Sequence, residues 1–127
     1  MKIAINCIYY TPRSGGIREY ISNLVQNIER QNTRHEIIYY IIKDQYHSFK
    51  SLVKDVSRIR IFPFHENQKL LRSLLQQIYW YKQEKNESFD LFHSPFFHAP
   101  KFKNAKIILT VHDLRFQVYP NTYKKSR

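Results

Sequence analysis

The sequence predicts an α/β fold built as an open parallel sheet with helices on both faces. Two observations lead there. Along the chain, apolar strand-like runs alternate with segments whose apolar residues recur at helical spacing. One run, EIIYYII at 36–42, is apolar almost without a break, the pattern of a strand covered on both sides. Strands alternating with helices imply right-handed crossovers and parallel neighbours.

Each element follows in order. KIAINCI at 2–8 is a short apolar run suited to a buried strand, and YYTPRSGG is the loop after it. Ile17, Tyr20, Ile21, Leu24, Val25 and Ile28 step by three and one, which is one face of a helix. The second strand is EIIYYII. Tyr46, Phe49, Leu52, Val53 and Val56 predict a second helix. RIRIF at 58–62, stopped by Pro63, is the third strand. Leu70, Leu71, Leu74, Leu75, Ile78 and Tyr81 form the stripe of a third helix. Two more strands are expected at 89–93 and 106–111, joined by the loop SPFFHAPKFKN. The order β-α-β-α-β-α-β-loop-β is Rossmann-like. The tail FQVYPNTYKKSR reads as a loop leading into a helix, so residues 1–127 are expected to be one truncated domain, the front part of a larger protein.

Bulk properties narrow the function classes. A chain of 127 residues that is 43% hydrophobic and 16% aromatic can bury a core, which excludes a disordered tail. No apolar run reaches the ~18 residues of a membrane span. The N-terminus has no signal-peptide pattern, and Cys7 is the only cysteine. Both features fit a cytoplasmic, reducing compartment. Lys and Arg number 21 against 10 Asp and Glu, a formal charge of +11. Such a surface attracts polyanions: nucleic acid, an acidic bilayer or a phosphorylated small molecule. A basic nucleic-acid-binding module is thus one reading, although no RRM, KH or zinc-finger signature is present.

In open parallel sheets, ligands bind beyond the carboxyl ends of the strands. Three segments fit that description: SGG after the first strand, HSPFFH after the fourth and HDLRF after the fifth. Gly15 and Gly16 are the only glycines, and they stand side by side at the entry to the first helix. They make either a tight turn or a backbone that lets an anion approach the helix N-terminus. The spacing is neither GxGxxG nor a P-loop. His112 and Asp113 end a buried strand, as a solvated or capping pair or as site residues. His93, His98, His112 and Asp113 match no standard zinc spacing, so no metal is expected. Cys7, inside a strand, reads as a packed thiol.

KIAINCIYY with SGGIREYISNLVQNI, the middle segment FDLFHSP and the closing TVHDLRFQVYP together resemble the N-terminal half of family 4 GT-B glycosyltransferases, with most likeness to the mannosyl- and hexosyltransferase branch. The resemblance covers nearly the whole chain. It implies two Rossmann-like domains flanking a cleft, of which this is the acceptor-side one. It implies retaining transfer of a hexose from a nucleotide-sugar to a glycan or lipid-linked acceptor, with no bound metal or other cofactor. Gly15 and Gly16 would lie against the donor diphosphate, and His112 would reach the transferred sugar. Arg13, His93, Ser94, Asp113 and Arg115 become acceptor contacts or supporting residues. Nothing matches the E-x7-E pattern of the second domain, so the isolated chain is expected to be inactive, and a non-catalytic remnant is a further reading.

A membrane surface is the last expectation. At 100° per residue Trp80 lies about 200° from Ile78, away from the leucine stripe. With the stripe turned inward, an exposed Trp80 beside Lys69, Lys82 and Lys85 would dock on anionic lipid, at the inner face of the membrane.

Overall fold

The computed structural model describes residues 1–65 and 67–114. Five strands form one sheet: β1 (Lys2–Asn6), β2 (Glu36–Ile42), β3 (Ile59–Phe62), β4 (Leu91–Ser94) and β5 (Lys106–Leu109). Their order across the sheet is β3-β2-β1-β4-β5, and every pairing is parallel. Three helices connect them: α1 (Gly16–Arg30), α2 (Tyr46–Phe49) and α3 (Lys69–Glu87). This is the α/β, Rossmann-like open sheet that the alternation of patterns predicts.

The two faces are divided by the alternation of β2. Ile37, Tyr39 and Ile41 join Ile5, Cys7, Ile21, Val25 and Phe49 in a core under α1 and α2. Ile38, Tyr40 and Ile42 join Ala4, Phe62, Phe92 and Trp80 in a second core under α3. A strand covered on both sides leaves no place for a polar residue, which is why 37–42 is apolar throughout and only Glu36, at the exposed start, is charged. β5 stands at the sheet edge with all four of its residues exposed.

The predicted second helix is much shorter than its periodicity implies. A single α-turn, Tyr46–Phe49, lies between 3₁₀ turns at Lys43–Gln45 and Lys50–Leu52. Val53 then turns extended, and the Lys54 N–H donates to the Glu29 carboxylate at 2.9 Å. Asp55 caps the next turn by accepting from the Ser57 N–H. Buried Val53 and a competing side-chain acceptor thus end the helix early.

The orientation of α3 is the reverse of the expectation. Trp80 is 1% exposed, stacked on Phe62 at 5.6 Å and meeting Phe92 and Tyr40 edge-on at 5.0 and 4.8 Å. The leucine stripe faces solvent, with Leu70 76%, Leu74 68% and Ile78 56% exposed. The inward face is anchored by polar groups as well. Glu84 accepts from the backbone N–H groups of Lys103, Asn104 and Ala105 at 2.7–2.9 Å. Glu87 pairs with Lys2 at 2.9 Å and with Arg60. Trp80 therefore does not join Lys69, Lys82 and Lys85 on an outer surface; the three lysines are exposed and the tryptophan is core.

Candidate functional site

The chain leaves β1 to the left, through α1 to β2 and β3, and returns through α3 to β4 on the right. β1 and β4 are therefore neighbours whose following loops part, and the crevice between them is where open α/β sheets take ligands. Aromatic rings bridge it. Tyr9, from the loop after β1, stacks on Phe96, from the loop after β4, at 4.2 Å. Phe96 in turn meets Phe97, which is exposed, in a tilted contact at 4.2 Å, and the Tyr9 hydroxyl lies 3.5 Å from His98 Nε2. Burial pushes the Tyr9 phenol above its ordinary value, so it is a neutral hydrogen-bonding group here.

The glycine pair opens α1. Gly15 has φ +47° and ψ −116°, a conformation that a side chain strains, and it is the N-cap. No side chain caps the helix, so the first amides of α1 keep their donors for another acceptor. A Cβ on Gly16 would meet nothing within 4 Å. Packing therefore does not require glycine at 16, and the space in front of it is open. Arg18 is held beside this turn, its guanidinium 4.4 Å over the Tyr10 ring.

His112 joins the same edge from the other side. Its ring meets Tyr20 of α1 edge-on at 4.7 Å, and its Nε2 lies 3.0 Å from the Pro95 carbonyl oxygen. A carbonyl only accepts, so Nε2 carries the hydrogen and Nδ1 is the acceptor in the neutral ring. Gly16 is one helical turn, about 6 Å of rise, from Tyr20. One tyrosine thus ties His112 to the helix that the glycines open.

His93 is half-buried on the same side of the sheet, its Nε2 2.9 Å from the Thr110 hydroxyl. Burial lowers its pKa, which keeps it neutral. Ser94 is fully buried and donates to the His98 carbonyl at 2.9 Å. It shapes the 95–98 loop rather than facing the edge. Arg13 lies in the 3₁₀ turn Pro12–Ser14 just before the glycines, and Asp113 is exposed beside His112. Arg115 and the tail motif lie outside the described residues.

Cys7 is buried beneath α1, and burial raises its thiol well above the ordinary range, which makes it a poor nucleophile. Among the described residues no group of three or more His, Cys, Asp or Glu could hold a metal ion. Tyr9, Tyr20, Pro95 and Thr110 escaped the sequence reading. Tyr20 counted only as one apolar position of the helical stripe, and Pro95 contributes a carbonyl that no residue identity announces. No protein-family model matches the chain, and neither a curated protein nor a solved structure matches it significantly.

Proposed function

We propose that this chain is the acceptor-side portion of a retaining glycosyltransferase, moving a hexose from a nucleotide-sugar to a glycan or lipid-linked acceptor in the cytoplasm. The observation that carries the reading is the Tyr20 link: His112 after β5 packs on Tyr20, one turn into the helix whose uncapped N-terminus is open at Gly16. A diphosphate placed at Gly15 and Gly16 meets free amides and the positive end of the α1 dipole. As the bond from sugar to phosphate breaks, negative charge gathers on the diphosphate and positive charge on the sugar. The helix end answers the first. His112, held by Pro95 and Tyr20, answers the second by orienting the sugar through Nδ1, and not as the general base. Fixed groups of this kind lower a barrier more than they improve binding. The Tyr9–Phe96–Phe97 rings offer the apolar floor on which an acceptor sugar or lipid linker packs.

The test is a nuclear magnetic resonance titration of the chain with UDP-glucose and GDP-mannose. Amide shifts are expected at 15–20 and at 112, with weak affinity and no turnover. Gly16→Val should abolish those shifts while leaving melting nearly unchanged. Shifts confined elsewhere, or sugar transfer by this chain alone, would overturn the assignment. Salt-dependent nanomolar binding to an oligonucleotide would instead favour a nucleic-acid module, which the +11 charge also fits. In any longer, active form, His112→Ala should lower kcat by about 10²-fold, the scale set by losing one positioned donor.

A further inference from the structure

We propose that the outer face of α3 is a membrane-docking surface that seats in the interface of an anionic bilayer. Leu70, Leu71, Leu74, Leu75, Ile78 and Tyr81 are all exposed along the 19-residue helix. At 100° per residue Leu71 lies about 180° from buried Trp80, Ile78 about 160° and Leu75 about 140°. These side chains point straight away from the sheet. A further helix lying beside α3 on the same sheet would reach Leu70 and Tyr81, not Leu71, Ile78 and Leu75. What covers the stripe approaches from outside the α/β layers.

Charge selects the occupant. The helix has two carboxylates, Glu84 and Glu87, and both are turned inward onto the 103–105 backbone and onto Lys2 and Arg60. The outward surface of α3 carries leucines, one isoleucine, one tyrosine, the neutral Asn86 and cations. Lys82 and Lys85, about 160° and 140° from Trp80, project among the apolar residues. An apolar stripe studded with cations and stripped of carboxylates complements acyl chains beneath anionic headgroups. Lysine stems reach past the apolar band to the headgroups. Among the described residues no helix is long and apolar enough to cross a membrane, so α3 lies in the interface and does not span.

The experiment is sedimentation of the 127-residue chain with vesicles of phosphatidylcholine alone and of phosphatidylcholine with one-third phosphatidylglycerol, at low salt. Binding should be at least about ten-fold tighter to the acidic vesicles. The pair Lys82→Gln and Lys85→Gln should weaken it about twenty-five-fold, at roughly five-fold per lysine. The pair Leu74→Glu and Ile78→Glu should abolish it while Trp80 fluorescence stays native. The lysine variants decide the matter if the glutamate pair does not fold. Equal binding to both vesicles, or none, overturns the proposal. So does concentration-dependent self-association that Leu74→Glu removes without any lipid binding, since the stripe would then join two copies of this chain.

Discussion

The two long helices make opposite use of the same kind of sequence. α1 buries Ile21 and Val25 under its apolar stripe and turns polar residues outward. α3 buries Trp80 and Glu84 and turns its leucines outward. Both send a carboxylate into the protein. Glu29 accepts from the Tyr39 hydroxyl and Arg58 at 2.6 Å and from the Lys54 N–H, as Glu84 does from the 103–105 amides. What differs is the apolar stripe. Hydrophobic periodicity reveals that a helix is amphipathic, but not which of its faces meets the sheet. That is settled by fit: one indole among Tyr40, Phe62, Tyr79 and Phe92 meets the aromatic floor of this face, and a row of leucines does not.

Four substitutions and one change of pH test that contrast. The largest effect is expected at Trp80. Trp80→Ala should cost about 3–5 kcal/mol by opening a large cavity, read by denaturant unfolding. If the loss were as small as at Leu74, the inverted packing would be refuted. Next comes Glu84→Ala, which strands three backbone donors. A loss of about 2 kcal/mol is expected, with the 103–105 amides gaining hydrogen exchange. Exchange unchanged there would mean that the loop holds itself.

Acid should act on both helices together. Hydrogen bonding from Arg60, with smaller help from Lys2, holds Glu87 below the ordinary carboxyl value of 4.5. Burial acts to raise Glu29 and Glu84, yet the hydrogen bonds they accept leave both below that value too. Folded values below unfolded ones mean stability that is fully present above the unfolded range and lost as pH falls through the folded values. Unfolding free energy should hold near neutral pH and decline below pH 4.5. Glu84→Gln should flatten part of that decline. An unchanged slope would remove Glu84 from the linkage. The smallest effect is expected at Leu74: Leu74→Gln should fall within about 0.5 kcal/mol of the parent, as exposed sites do. A loss above 2 kcal/mol would show that the stripe is packed after all.

Sequence made the sheet legible because strands buried on both faces have an unmistakable composition, and 36–42 agrees to the residue. It placed all five strands and the order of elements. It overstated the second helix, since Val53 and the Glu29 acceptor act through tertiary contact that spacing does not encode. At the edge, the glycine pair was visible as the sole glycines, and Gly15 does need its positive φ. The partners of His112 were not visible, because a tyrosine ring 92 residues away and a proline carbonyl enter only once β4, β5 and α1 are assembled. Helical spacing gives the angle between Trp80 and the leucines, but not which of the two faces the sheet.

Trp80 is also the chain's only tryptophan. Wedged between Phe62 and Phe92, it gives the molecule a single optical reporter confined to one side of the sheet. Its emission should be blue-shifted, shielded from aqueous quenchers, and sensitive to the loosening of α3. The same probe is separated by the sheet from the ring of His112 and from the glycine turn. A fluorescence titration that shows no change would therefore say nothing about occupancy of the crevice, whereas tyrosine or amide signals at Tyr20 would register it directly.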